Sequence, residues 1–243
     1  MEYSSTLDYY SEFKNYAIKH MGISGMQFHY WDKLQENLYN NVNVFGGASN
    51  SLTPYILEER ELRVTQMDIF SRLMMDRILW LAGPVNDQMS TVVQAQLMFL
   101  ANLDPSKDIT MHVDTPGGSV KSGLSIVDVM DFITPDIITI NTGMAASMGS
   151  ILLGAGTKGK RFMFPNSKVM LHQVSTGASG NIQDIEISIA EGKKCNTILF
   201  DLLGKYTNKD PKQVLSDASR DLWLDAEEAK AYGIVDSIIT KKK

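Results

Sequence analysis

The chain has 243 residues, of which 44% are hydrophobic and 21% are charged, an ordinary composition for a globular protein. A net charge of −5 and a pI near 5.4 argue against nucleic acid as the main partner, because phosphate binding needs a basic face. The single cysteine, Cys195, excludes an internal disulfide, the four histidines are too far apart for a metal-binding motif, and no apolar run is long enough to cross a bilayer.

The first 53 residues differ in character from the rest of the chain. They are rich in Tyr, Asn and Ser, and they have neither the apolar stretch of a signal peptide nor the composition of a mitochondrial presequence. We expect residues 1–53 to form an N-terminal extension that is a propeptide, a docking arm or a poorly ordered leader, and residues 54–243 to form the folded domain. A reducing compartment, the cytoplasm, is the expected location.

From Tyr55 onward, strand-like and helix-like patterns alternate. The predicted strands cover residues 78–82, 109–113, 136–141, 161–164 and 168–173. The predicted helices cover residues 87–102, 119–133, a segment from 148 to 153, and a long segment from about 182 to 206. This alternation with short connections predicts an α/β fold with a largely parallel sheet. The last helix is too long for a helix that only covers a sheet.

Three loops follow predicted strands, which is where ligands bind in open α/β sheets. Their sequences are DTPGGSV (114–120), GMAASMG (143–149) and HQVSTGASG (172–180). In the first, Gly117 and Gly118 lead into a helix and leave backbone N–H groups free to bind a phosphate, a carboxylate or a developing oxyanion. No lysine follows as it would in a P-loop, and a plain turn explains the glycines equally well.

Ser147 lies where a strand becomes a helix. One interpretation is an ordinary N-cap, a position that serine suits. The other is a nucleophile at a helix N-terminus, with small neighbours that leave room for an acyl group and with the amide of Met148 as a donor to the oxyanion. Ser150 is a weaker candidate because it lies one turn into the helix.

A nucleophilic serine needs a base and a group that orients the base. His172, at a strand end, is the better candidate base, and His112, in the middle of a strand, is its competitor. Asp225 fits a capping box with Glu228, which leaves Asp221 available as the acid. From the residues alone, this triad is one of several possibilities.

At these residues the sequence resembles the ClpP family of ATP-dependent serine peptidases, from about Pro54 to Ile239. GMAASMGS, KVMLHQ and SRDLWLDAEEAKAYGIVD correspond to the family segments that hold the nucleophile, the base and the acid, in that order. Other family-like segments are FSRLMMDRILWLAGPVND, DTPGGSVKSG, AGTKGKRFMFPNS and GNIQDIEI. The resemblance implies an α/β fold of the ClpP/crotonase type, with Ser147, His172 and Asp221 as catalytic residues and the amides of Gly118 and Met148 as the oxyanion hole.

The resemblance also implies an assembly and a partner. The assembly is a homo-oligomer of two stacked seven-membered rings, with the long helix as the handle between the rings. The partner is an AAA+ unfoldase of the ClpX, ClpA or ClpC type, which consumes the ATP and delivers unfolded proteins. The peptidase itself then needs no cofactor or metal. HQVSTGASG would bind substrate as an added strand, and SLTPYILEER would form the axial entrance.

Three departures from the family pattern stand out. Asp114–Thr115 occupies the place of Asn-Ser, and Val174 occupies that of a proline, which predicts a looser substrate-binding segment. Ser219 replaces an acid beside Arg220 and puts in doubt the coupling between ring contacts and the triad.

The sequence also allows two alternative hypotheses. One is a ClpP-like structural subunit that needs a paralogous ring for activity, which the departures and the extension suggest. The other is an acyl-CoA enzyme of the related crotonase fold, which holds a thioester oxyanion with similar glycine-rich amides.

Overall fold

The computed structural model of the protein describes residues 55–60 and 63–240, with side chains from residue 67 onward. These residues belong to a compact unit that spans Thr53–Lys243. The predicted N-terminal extension, residues 1–53, lies outside the described residues.

The described residues form alternating strands and helices. The strands are β1 (Tyr55–Arg60), β2 (Arg63–Asp68), β3 (Ile78–Ala82), β4 (Ile109–Thr115), β5 (Ile137–Ala146), β6 (Arg161–Met163), β7 (Lys168–Leu171), β8 (Leu222–Leu224) and β9 (Ser237–Ile238). The helices are α1 (Ile69–Met75), α2 (Asp87–Leu103), α3 (Val120–Phe132), α4 (Met148–Gly154), α5 (Ile182–Thr207), α6 (Pro211–Asp217) and α7 (Ala226–Tyr232). The predicted positions of the central strands and of the long helix are confirmed to within a few residues, apart from the end of β5.

The main sheet has seven strands, and most of its pairs are parallel. Strands β3, β4, β5, β6 and β9 are neighbours in that order. Strand β7 pairs in parallel with the second half of β5, and β8 pairs antiparallel with β7. Strands β1 and β2 form a separate antiparallel hairpin. The predicted α/β class with a mostly parallel sheet is therefore confirmed.

The core is built from alternate residues of the sheet and from the inner faces of the helices. In β4, Ile109, Met111 and Val113 are fully buried, and the residues between them are only partly covered. Every residue of α4 is buried, so this short helix lies inside the molecule. A functional group at the N-terminus of α4 is therefore held by the core itself.

Strand β5 is longer than predicted, because it continues five residues past Asn141 to Ala146. Its last residues pair with β7, from Met144↔Lys168 to Ala146↔Met170. The small side chains of this stretch let other groups approach closely, and a Cβ added at Gly143 would lie 2.6 Å from Asp114 Oδ1. The sequence pattern looked like a loop because a strand made of small residues has no apolar alternation.

Helix α5 has 26 residues, which corresponds to a length of about 39 Å. Its buried residues lie in its last nine positions, from Leu199 to Thr207. Its first part exposes apolar side chains, among them Ile182 at 75% and Ile187 at 67%. The helix therefore extends well beyond the surface that its own chain covers.

The predicted capping box is also present, since Asp225 and Glu228 exchange hydrogen bonds at the start of α7. Within residues 55–60 and 63–240, no helix combines the length and the apolar character needed to span a membrane.

Candidate active site

Ser147 lies in a sharp turn between β5 and α4, with φ 54° and ψ −121°. A positive φ is uncommon for a residue with a side chain and is typical of strained functional positions. The Ser147 N–H donates to Met170 O at 2.9 Å, which fixes the turn to β7. Although Ser147 occupies the N-cap position of α4, its side chain makes no capping hydrogen bond. The hydroxyl is therefore available for another partner.

That partner is His172, whose Nε2 lies 2.7 Å from Ser147 Oγ, a good hydrogen-bond distance. His172 follows β7 directly, and β7 is the parallel neighbour of the second half of β5. Parallel neighbours end at the same edge of a sheet, which brings the serine and the histidine together. Ser150, the weaker candidate, is buried, and its hydroxyl donates to Ser147 O at 2.7 Å.

Asp221 lies on the other side of His172, just before β8. Its Oδ1 is 3.8 Å from His172 Nδ1, which is too long for a hydrogen bond, and its side chain is 61% exposed. Strand β8 pairs with β7 through Leu171↔Leu222, and this register places the carboxylate beside the imidazole. The structure thus brings the three predicted residues together, with the acid in a loose position.

The competing histidine, His112, belongs to a different environment. Its ring stacks on Trp80 with the ring centroids 4.5 Å apart and an angle of 12° between the planes. Burial lowers the pKa of His112, and its buried Nδ1 has no hydrogen-bond partner among the described residues. His112 is therefore packed in the sheet, as its position in the middle of a strand predicts.

The two predicted oxyanion donors lie on adjacent backbone segments. Gly117 O accepts a hydrogen bond from Val85 N, and Val85 O accepts one from Ser119 N. The N–H of Gly118, which lies between these two bonded residues, donates to no acceptor among the described residues. Within the described part of the chain, the N–H of Met148 also has no acceptor, as expected for the first residue of a helix. A Cβ added at Gly117 would lie 2.7 Å from Ser147 Cβ. Residues 117–118, the glycine segment, therefore pass directly over the serine.

The unusual Asp114–Thr115 pair has hydrogen bonds that sequence reasoning did not identify. Thr115 Oγ1 donates to Gly83 O at 2.6 Å and accepts from Gly117 N at 3.0 Å. Asp114 Oδ1 accepts from Met144 N at 2.9 Å, across from the end of β5. Together these bonds hold the glycine segment against the strand that carries the serine. Asp114 and Thr115 directly precede Pro-Gly-Gly, and this position is the sequence feature that could have indicated their role in holding the two glycines.

The other two departures lie on the side of the base and the acid. Val174 donates its backbone N–H to Asn196 Oδ1 at 2.9 Å, a bond that a proline could not make. Ser219 and Arg220 are both exposed after the end of α6. The effect of Ser219 on ring contacts stays a prediction.

A cavity of about 180 Å³ opens beside the serine. Its wall combines the reactive groups with apolar side chains from three helices, namely Gly118, Val120, Ser147, Ile151, His172, Leu199 and Leu203, together with the segment Gln173–Ser175. Among the described residues, no cluster of three or more His, Cys, Asp and Glu side chains is placed to hold a metal ion. The arrangement can place an acyl group between a hydroxyl, an imidazole and two free amides, which is the chemistry of acyl transfer.

The chain is similar to known proteins over most of its length. The family model for Clp protease matches residues 60–242. An ATP-dependent Clp protease proteolytic subunit of Bacteroides thetaiotaomicron is 45% identical over 95% of this chain and 99% of its own length. Subunits of the same name from Bacteroides fragilis and Porphyromonas gingivalis are 48% and 43% identical, over 82% and 96% of this chain and 97% and 99% of their own lengths.

These relatives are informative beyond their names. Since some alignments cover 95% or more of this chain, they include most of the N-terminal segment as well as the domain. The names do not favour a purely structural subunit, and they do not support an acyl-CoA enzyme. The chain therefore belongs to the Clp protease family, and it is a serine peptidase with a Clp protease function.

Proposed function

We propose that this protein is a self-compartmentalised endopeptidase that cleaves unfolded polypeptides into peptides, with Ser147, His172 and Asp221 as its catalytic residues. The observation that carries the proposal is the 2.7 Å contact between Ser147 Oγ and His172 Nε2 at a turn whose serine has a positive φ. A serine held in this way is activated by its base and has no competing structural hydrogen bond.

In the proposed mechanism, Ser147 attacks the peptide carbonyl while His172 takes the proton of its hydroxyl. The negative charge on the carbonyl oxygen is stabilised by the N–H groups of Gly118 and Met148, which are preorganised by the fold. Asp221 orients His172 and stabilises its cation, and His172 protonates the amine as the C–N bond breaks, which leaves the acyl group on Ser147. Water then gives a proton to His172 and attacks the acyl carbonyl, and the ester bond to Ser147 breaks to release the acid product while His172 returns the proton to Ser147. Every group in this sequence comes from the chain or from water, so the proposal includes no cofactor.

Polypeptide substrates fit the segment that follows His172. Residues 173–175 line the cavity beside Ser147, and residues 172–180 have no helix or strand assignment. A substrate strand can pair with such a segment through main-chain hydrogen bonds, which depend little on substrate side chains. Weak sequence selectivity follows, so selection would take place before the substrate reaches the site.

The proposed assembly is a homo-oligomer of two stacked seven-membered rings, in which α5 lies between the rings. The support is that α5 projects beyond its own core and exposes Ile182, Ile187 and Ile189. Exposed apolar side chains in a cluster mark a surface that another chain covers.

The proposed partner is an AAA+ unfoldase of the ClpX, ClpA or ClpC type. This partner would hydrolyse the ATP, since the relatives are named proteolytic subunits of an ATP-dependent protease. The domain exposes further large apolar side chains that a ring surface could offer to such a partner, including Trp80, Phe99, Phe132 and Phe164. The β1–β2 hairpin, which includes most of the segment SLTPYILEER, would border the axial entrance. The cytoplasm is the proposed location.

The test is covalent labelling of the purified full-length protein with a fluorophosphonate, read by intact and peptide mass spectrometry. We expect an adduct on Ser147 in the wild type, and a loss of labelling of about 10⁴-fold or more in Ser147→Ala and His172→Ala. Ser216→Ala, which changes an exposed serine of α6, is the matched control. A correctly folded oligomer that takes no adduct on Ser147 would contradict the proposal.

A further inference from the structure

The segment that follows His172 lies along α5 and touches it at two points. The backbone N–H of Val174 donates to Asn196 Oδ1 at 2.9 Å, in a partly buried contact. One turn earlier on the helix, Thr176 packs against Gly192, where an added Cβ would come within 3.2 Å of Thr176 Cγ2. The two contacts hold residues 174–176 against one side of α5.

That side of α5 also forms part of the wall of the active-site cavity. Gly192, Asn196, Leu199 and Leu203 follow one another at intervals of four, three and four residues, which places them on one face of the helix. Leu199 and Leu203 are buried and line the cavity beside Ser147. The helix face that carries Asn196 is therefore continuous with the cavity wall, and Asn196 lies about one helical turn before Leu199, which lines the cavity.

The hydrogen bond to Asn196 constrains a residue that lines the same cavity. Val174 is two residues after His172, and its side chain packs against the core. A proline at this position would restrict φ without help from neighbours but would have no N–H to donate. In this protein the backbone of Val174 is restricted by the Asn196 side chain, which accepts the hydrogen bond from its N–H. The neighbouring backbone groups of residues 173–176 stay free to pair with a substrate strand.

We propose that Asn196 is a positioning residue, which holds the segment 173–176 in the extended form that binds the main chain of the substrate. This inference rests on the proposed function, because it concerns how the same site binds polypeptides. Asn196 acts through Val174 and has no role in the transfer of protons or acyl groups. Its removal therefore weakens binding of an extended peptide and leaves the reactivity of Ser147 toward a small reagent unchanged.

The experiment compares two reactions of the purified full-length protein, namely hydrolysis of an extended fluorogenic peptide and labelling of Ser147 by a small fluorophosphonate. In Asn196→Ala we expect the KM for the peptide to rise about five-fold, the effect of losing one neutral hydrogen bond. The rate constant for labelling should stay within about two-fold of the wild type, within the range seen for surface substitutions. Lys193→Ala, which changes an exposed residue of the same helix, is the matched control.

Two further variants separate positioning from a general effect on the fold. Asn196→Asp keeps an oxygen acceptor for the Val174 N–H, and we expect it to keep a KM close to that of the wild type. In the double variant Val174→Pro/Asn196→Ala the proline ring supplies the restriction without a donor, so the KM should fall back toward the wild-type value.

Three results would overturn the inference. A KM that is unchanged in Asn196→Ala would mean that the hydrogen bond does not position the segment. An equal loss in peptide hydrolysis and in labelling would mean that Asn196 supports the fold or the triad instead. A wild-type protein that takes no adduct on Ser147 would overturn the proposed function as well, whereas the first two results leave that function intact.

Discussion

The nucleophile and the acid of the proposed triad lie in different structural environments. Ser147 lies between the buried end of β5 and the buried helix α4, and the glycine segment of residues 117–118 passes directly over it. Asp221 lies before the three-residue strand β8, with a side chain that is 61% exposed and 3.8 Å from the imidazole. The core positions the proposed nucleophile, whereas the proposed acid lies at an exposed surface of the chain.

The largest effect should come from filling the space above the nucleophile. In Gly117→Ala the new methyl group would lie 2.7 Å from Ala146 O and Ser147 Cβ, so the serine or the glycine segment must move. We expect the labelling rate of Ser147 to fall about 10³-fold, because a shift of this kind removes an oxyanion donor and misplaces the nucleophile. Labelling kinetics together with circular dichroism would measure the effect in folded protein.

Gly159→Ala is the matched control for this prediction. Gly159 has a φ of 89°, close to the 93° of Gly117, but nothing lies within 4 Å of an added Cβ. The two variants share the backbone strain of an alanine at positive φ and differ in the contact with the serine. Equal losses of labelling in the two variants would show that strain, and not the contact at Ser147, is responsible.

A smaller effect is expected on the acid side. Asp221→Asn removes a charge that is exposed and not hydrogen-bonded to His172, so we expect acylation of Ser147 to slow about 100-fold. This value lies between the weak coupling of an exposed ion pair and the roughly 10⁴-fold loss seen when a fully formed triad loses its acid. Pre-steady-state acylation of the oligomer measures the effect. A loss of only a few fold would contradict the role of Asp221 as the orienting acid.

Asp236 offers the smallest effect and a contrast to Asp221, because it is a carboxylate with fixed partners. It accepts hydrogen bonds from the Arg161 guanidinium at 2.6 and 2.9 Å and from the backbone N–H of Gly159 at 2.7 Å. Burial by itself would raise the pKa of Asp236, but the hydrogen bonds and the charge of Arg161 outweigh it, and the pKa is lowered. The ionised form therefore stabilises the fold.

The sign of this shift predicts how stability depends on pH. A lowered pKa contributes stability above the ordinary value of 3.8, and this contribution is lost as the pH falls through the pKa of the folded state. We expect Asp236→Asn to lower the free energy of unfolding by about 2 kcal/mol at neutral pH, because it weakens the charged hydrogen bonds of the buried Arg161 guanidinium. Denaturant titrations at several pH values measure the difference in the free energy of unfolding between the wild type and this variant, and this difference should become smaller below about pH 4. A difference in the free energy of unfolding that stays constant with pH would assign the effect of the substitution to packing.

Much of the site was predictable because its signals are local. A glycine pair before a helix, a serine among small residues and a histidine at a strand end each indicate chemistry within a few residues, and the order of Ser147, His172 and Asp221 matches a known family. The end of β5 was not predictable, because its small residues gain strand structure only by pairing with β7. The contact of Val174 with Asn196 was equally hidden, since 22 residues separate the two partners.

The sequence by itself determined the α/β class, the approximate positions of the central strands and of the long helix, and the candidates for the reactive residues, because periodicity and motif order depend on neighbours along the chain. Only the tertiary structure decided the strained turn at Ser147, the free amides over it, the anchoring of Val174 to α5 and the loose position of Asp221. These features are distances between segments that are remote in sequence, and they exist only once the sheet has brought the ends of its strands together.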